Sequence, residues 1–242
     1  MKILIFSGAG LSQPSGISTF RDSDGLWENH KIEEVCNIRT FEDNYQKVHK
    51  FYNQRRKDLK DKLPNKMHEF IATLEKDFEV LNYTQNVDDL LEKAGCKDVK
   101  HIHGFLGEDE CFKCGKVWKN ESDIRKRCGT FCTGKIKPRV VFFYESAPLY
   151  SDLDYDLLSL GKEDILIVIG TSGNVFPIGS YIKKLHNKKY KNDKPLIILN
   201  NMERTENISE HYVDYKLYGS CEDRIDDISK LIIKKIKLNS KD

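Results

Sequence analysis

Cys111, Cys114, Cys128 and Cys132 read C-x2-C, thirteen residues, then C-x3-C. Paired thiolates on tight knuckles supply the four tetrahedral sulfur ligands of a structural Zn2+, and Gly115 and Gly129 ease the turns beside two of them. Four buried free thiols would need apolar surroundings, and the intervening KVWKNESDIRKR is polar. With cysteine at all four positions no place is left for water or substrate. One structural ion that folds this segment and takes no part in chemistry is the expectation.

A second set of residues suits a nucleotide. FSGAGLSQPSGISTFR, running from Phe6 to Arg21, follows the strand-like KILIF. Glycine after a buried strand lets backbone come close to a phosphate. The dinucleotide fingerprint G-x-G-x-x-G is incomplete, because Gln13 stands in its third glycine position. TQNVDD puts Gln85, Asn86 and Asp88 at the end of another strand, where polar side chains meet ligands. A helix cap would explain one of these three groups and leave the others unaccounted for. His103 ends the next strand before Gly104 and suits a general base near neutral pH; taken alone, the same histidine reads as structural. GTSGNVFP, from Gly170, follows DILIVI as a second glycine-hydroxyl loop, and ILNN ends at a strand tip with Asn200.

The elements that must hold these groups are short apolar runs: ILIF at 3–6, FEVLNYT at 78–84, VKHIHG at 99–104, PRVVFF at 138–143, DILIVIG at 164–170 and PLIILN at 195–200. Most are too unbroken for half-exposed strands and suit strands buried on both faces of a parallel sheet. Helical patterns lie between them, including VDDLLEKAG and the terminal EDRIDDISKLIIKKIK. The expected fold is α/β, a Rossmann-type doubly wound parallel sheet, with ligands outside the carboxyl ends of its strands. Residues 29–77 carry two helical patterns and 106–137 carry the cysteine cluster. The domain reading is therefore 1–28, 78–105 and 138–242 for the nucleotide-binding domain, and 29–77 with 106–137 for a small helical and zinc-binding domain.

Composition limits the partners. Forty basic residues against thirty-eight acidic ones leave a formal net charge of +2, so no global field argues for nucleic acid. The four-residue apolar run at the amino terminus is too short for a signal-peptide core or a membrane span, which points to a cytoplasmic protein. Seven cysteines, an odd count, argue against a disulfide framework.

GAGLS, GISTFR, TQNVD, HIHG, the four cysteines, VVFFYE, GTSGNVFP and the ILN strand end occur in an order that resembles the sirtuins, NAD-dependent protein-lysine deacylases, over nearly the whole chain. The resemblance implies that Gly8, Ala9, Gly10 and Ser12 hold the NAD pyrophosphate and that Phe20 and Arg21 border the nicotinamide ribose. It gives Gln85, Asn86 and Asp88 to the ribose and nicotinamide pocket, makes His103 the catalytic base, and sets Gly170, Thr171, Ser172, Asn200 and Cys221 against the adenosine half. NAD is then a consumed co-substrate, with acyl-lysine proteins as the partners of a monomeric enzyme. Tyr144 stands where the family's F-G-E turn carries glycine.

Tyr52 and Arg55 stand three apart in HKFYNQRRKDL, on one face of a helix. From spacing alone they read as a core tyrosine beside a surface arginine. DGLWENHKIEEV followed by FYNQRR, with Thr19, is similar to the class III sirtuins, in which this Tyr and Arg bind the carboxylate of succinyl-lysine or malonyl-lysine. NAD hydrolysis or mono-ADP-ribosylation on the same fold is the alternative activity. An inactive NAD-sensing module is a third reading, against which intact His103, Asn86 and Asp88 argue.

Overall fold

The computed structural model describes residues 1–18, 26–27, 30–120, 122–129, 131–187 and 193–240. Phe20 and Arg21, together with Thr19, lie outside the described residues. In chain order the elements are β1 (Lys2–Ser7), β2 (Leu26–Trp27), β3 (His30–Lys31), α1 (Ile32–Val35), α2 (Tyr45–Lys60), α3 (Lys66–Leu74), β4 (Glu79–Thr84), α4 (Leu90–Lys93) and β5 (Val99–His101). They continue as β6 (Gly104–Cys111), β7 (Val117–Lys119), β8 (Ile136–Val140), α5 (Tyr150–Ser159), β9 (Ile165–Ile169), α6 (Ile178–His186), β10 (Leu196–Asn201), β11 (Tyr215–Tyr218) and α7 (Ile225–Asn239).

The main sheet has six parallel strands in the order β11-β10-β9-β1-β4-β5. Counted along the chain this is the doubly wound order 3-2-1-4-5-6 read from its other edge, and its direction reverses between β1 and β9. Alternate residues of the central strands feed opposite faces, which is why their sequences are unbroken apolar runs. Leu4, Phe6, Leu166, Val168 and Leu199 pack with Leu153 and Leu157 of α5 and Ile178, Ile182 and Leu185 of α6. Ile3, Ile5, Ile167 and Ile198 pack with Met67, Ile71 and Leu74 of α3 and Ile228 and Ile232 of α7.

Two features differ from the sequence reading. The run at 138–143 does not enter the parallel sheet: β8 pairs antiparallel with β6 in a separate sheet of order β7-β6-β8. It looks like a central strand because Val140 and Phe142 are buried in the core that α2 covers. The helix over NKMHEFIATL, read with the small domain, packs on the large sheet through Met67, Ile71 and Leu74.

A third core joins α2 to the cysteine-bearing sheet. Phe41, Val48, Phe51, Tyr52 and Leu59 meet Leu106, Cys111, Ile124, Ile136 and Phe142. Among the described residues no helix is long and apolar enough to cross a membrane.

Candidate active site and metal centre

The reversal of strand order leaves a crevice where the loops after β1 and β9 diverge, the place where open α/β sheets bind ligands. Gly8 and Gly10 are packed there, though not as expected. The Gly8 N–H donates to the Ile169 carbonyl at 2.9 Å and the Gly10 N–H to the Gly170 carbonyl at 2.9 Å. A Cβ on Gly10 would lie 2.6 Å from Gly170 Cα, and Gly170 itself has φ +63°. These glycines interlock the two loops, so their N–H groups serve the scaffold. Gln85 bonds Thr171 Oγ1 at 2.8 Å, Asn201 bonds the Thr171 backbone on both sides, and Asn200 Nδ2 donates to the Leu217 carbonyl. Ser172 accepts Thr205 Oγ1 at its carbonyl, and the Cys221 thiol lies against the Leu11 carbonyl.

Ser12 is the hub of a buried polar network. Asn86 Nδ2 donates to its hydroxyl at 3.0 Å, and the hydroxyl donates to Asp88 Oδ2 at 3.0 Å. His68 Nε2 is 3.4 Å away. The Asn65 N–H donates to His68 Nδ1, so the proton of a neutral imidazole is on Nε2, aimed at Ser12. Burial pulls His68 down to about 4 from 6.5, which keeps that ring neutral. Burial raises the Asp88 carboxyl, and bonds from the Leu90 N–H and Ser12 oppose the rise. Asp88 Oδ1 also accepts the N–H of Leu90, the first residue of α4, at 3.1 Å. His68 is the participant that the sequence reading missed. Its signal is the pattern NKMH: Asn65 accepts from the Met67 and His68 N–H groups while His68 caps Asn65 in return.

His103 lies just past β5, in the turn before β6 and not on the strand itself. Its Nε2 is 2.9 Å from the Tyr150 hydroxyl. Burial pulls this imidazole down to about 4, partly offset by a hydrogen bond to the Gln85 backbone. A neutral histidine beyond the carboxyl end of a sheet strand can accept a proton. The Val141 N–H donates to the His103 carbonyl and the Phe143 N–H to the Cys36 carbonyl, so the chain after β8 bridges His103 to α1. Below this bridge Tyr52 stacks on Phe142 with centroids 5.7 Å apart, and its hydroxyl faces the Cys36 thiol. Arg55 is buried one turn on, within the fields of Asp58 and Asp88; burial lowers its pKa and the two carboxylates oppose that. Both residues of the predicted acyl-binding pair are buried, Tyr52 beneath the bridge and Arg55 within the field of Asp88.

Tyr144 follows at φ +69°, the left-handed region that favours glycine, and is the one non-glycine residue there among the described residues. Its exposed ring stacks on the Arg39 guanidinium at 3.8 Å.

The four cysteines converge as their spacing predicts, with all Sγ atoms within 4.8 Å of one another. Sulfur atoms on a tetrahedron with Zn–S bonds of about 2.3 Å stand about 3.8 Å apart. Cys111 to Cys132 measures 3.7 Å and Cys114 to Cys128 3.5 Å, so the donor set fits Zn2+.

A Rossmann-type crevice with a buried polar network, together with a separate four-thiolate module, defines a nucleotide-binding protein with a structural metal centre. The chain belongs to the Sir2 family, whose model matches residues 8–177. It is 43% identical over 235 residues to an NAD-dependent protein deacylase of Campylobacter jejuni, covering 96% of this chain and 94% of that one. An NAD-dependent protein deacylase of Helicobacter hepaticus is 38% identical, with 95% and 96% covered. Among solved structures, a Sir2 homologue mutant in complex with ADP-ribose superimposes with TM-score 0.81 at 32% identity, covering 98% of this chain and 94% of that one. A Sir2 homologue–NAD complex gives 0.78 at 33% identity, with 96% and 90% covered.

Proposed function

We propose that this chain is an NAD-dependent protein-lysine deacylase that favours succinyl-lysine and malonyl-lysine and also takes acetyl-lysine. The observation that carries the reading is a neutral His103 after β5, bonded to the backbone of Gln85, whose neighbour Asn86 belongs to the Ser12–Asn86–Asp88 network at the carboxyl ends of β1 and β4.

NAD acts as a substrate. Its nicotinamide leaves while the acyl oxygen of the modified lysine bonds the ribose carbon. The amide and carboxylate groups of Gln85, Asn86 and Asp88 orient the ribose and nicotinamide. His103, neutral and desolvated, takes the ribose hydroxyl proton, which lets that oxygen attack the acyl carbon. The C–N bond to the lysine then breaks, the amine leaving with the proton held by His103, and water adds to the remaining acyl-bearing carbon, so that nicotinamide, free lysine and O-acyl-ADP-ribose are the products. The four thiolates would hold Zn2+ well away from this chemistry, with no open ligand position.

The acyl preference rests on Tyr52 and Arg55. A buried guanidinium whose pKa is depressed by desolvation gains from a nearby anion. A planar arginine beside a phenol suits a carboxylate at the end of a short acyl chain.

Incubation with NAD and acetyl-, malonyl- and succinyl-lysine peptides, followed by mass spectrometry, tests this reading. Expected are one nicotinamide and one O-acyl-ADP-ribose per lysine freed, with the dicarboxylic acyl groups turned over faster. Nicotinamide release at the same rate without peptide would replace deacylation by NAD hydrolysis.

A further inference from the structure

Tyr150 opens α5 and lies 47 residues from His103, yet its hydroxyl is 2.9 Å from His103 Nε2. The other bond to the ring runs to the Gln85 backbone and favours protonation, so Gln85 presents its carbonyl and the ring donates to it. A neutral imidazole has a single N–H. With that hydrogen given to Gln85, Nε2 holds a lone pair and Tyr150 is the donor. The phenol stands on a rigid support: its ring packs edge-on against Phe176 at 5.1 Å, and Phe176 packs against Phe6 and Tyr181, each at 5.2 Å.

We propose that Tyr150 is a positioning residue for His103, holding the imidazole in the tautomer and orientation that leave Nε2 as the proton acceptor. This rests on the reading of His103 as the general base. Before a nucleotide arrives, the tautomer is already the one that proton abstraction requires. The ribose hydroxyl then takes the place of the phenol at Nε2, and no proton has to move between the ring nitrogens first. Other titratable groups nearby are turned elsewhere. His101 bonds the Asn86 carbonyl and Glu92, Asp88 bonds Ser12 and the Leu90 N–H, and Asp152 and Asp156 of α5 act on Tyr83. The loop 170–176 contains no titratable residue.

The test is Tyr150→Phe in the full chain, which keeps the ring packing, with His103→Ala beside it. The bond from Tyr150 stabilises the neutral imidazole, so its loss raises the His103 pKa. The acid limb of kcat/KM should then move up by about half a unit to one unit, the worth of one hydrogen bond. Turnover should fall roughly two- to tenfold, with NAD affinity and melting temperature close to wild type. Nitrogen-15 shifts of the labelled histidines should show the Nδ1–H form of His103 losing population. An unmoved acid limb with an unchanged tautomer would reduce Tyr150 to packing and overturn the proposal. Faster turnover or tighter NAD binding would also overturn it, by showing that the phenol obstructs the base. If His103→Ala kept its turnover, the base assignment itself would fail; an inactive His103→Ala beside a silent Tyr150→Phe removes only the positioning role.

Discussion

Arg56 Nη2 and Asp109 Oδ1 meet at 2.8 Å with the two side chains 4% and 0% exposed. Arg56 also donates to the carbonyls of Leu106, Ser122 and Glu108. Asp109 Oδ2 accepts from Asn120 Nδ2 and the Arg125 N–H. One helical residue thus fastens α2 to both the strand and the loop that carry the zinc ligands. Removing one partner of such a buried pair strands the other charge. Arg56→Met should cost roughly 3–5 kcal/mol in unfolding free energy, read from urea titration. A loss below about 1 kcal/mol would place Arg56 among ordinary surface pairs.

The cysteine cluster gives a test in which ligation and packing separate. Cys111 is buried in the third core, whereas Cys114 is exposed. A serine at Cys114 removes a thiolate and almost no buried surface. Purified protein should contain about one zinc per chain, and Cys114→Ser should lose it together with much of its thermal stability, because structural zinc contributes folding free energy directly. Elemental analysis that finds no zinc in wild-type protein kept from chelators would remove the metal centre.

His68 links the site to acid stability. Its pKa in the fold is about 4, below the ordinary 6.5, so the unfolded chain binds its proton more readily. The stabilising contribution is therefore complete above about pH 6.5 and is lost as pH falls through the window down to about 4. That difference corresponds to roughly 3 kcal/mol. His103, also near 4, adds a loss of the same sign. Unfolding free energies measured from pH 7 to 4.5 should fall steeply in the wild type and less steeply in His68→Asn. Parallel slopes in the two proteins would show that the His68 ring is not held neutral.

What the sequence reveals follows from how each element is buried. β1, β9 and β10 are legible because both faces are covered, so each carries an unbroken apolar run. β11 is missed because it is an edge strand, half exposed, with Lys216 in its middle. The run at 138–143 is seen but put in the wrong sheet, since burial alone does not say which strands are neighbours. VDDLLEKAG yields only one helical turn, bounded by Asp88, which is drawn toward Ser12, and by Gly95 at φ +103°. Tyr150 is invisible in the local pattern, because only tertiary packing brings it to His103. The metal ligands are the opposite case: spacing and chemistry alone identify them.

The selectivity prediction turns on where Arg55 spends its charge. If its guanidinium receives the acyl carboxylate, succinyl-lysine gains a charge-assisted hydrogen bond, bidentate in the best geometry, that acetyl-lysine cannot form. Such a bond is worth roughly 1.5–3 kcal/mol, or about one to two orders of magnitude. Arg55→Met should lower kcat/KM for a succinyl-lysine peptide by about tenfold or more and leave deacetylation unchanged or improved, since burying a guanidinium carries its own desolvation cost. Tyr52→Phe should give a smaller loss of the same kind, because it keeps the ring stacked on Phe142 and removes one neutral donor. The competing role is visible in the same residue: the Asp88 carboxylate acts on Arg55, and Asp88 belongs to the Ser12 network. An arginine that mainly steadies Asp88 would serve every acyl group alike. Steady-state kinetics with paired acetyl and succinyl peptides separate the two roles, since equal damage to both substrates would give Arg55 to the nucleotide pocket and withdraw the acyl assignment.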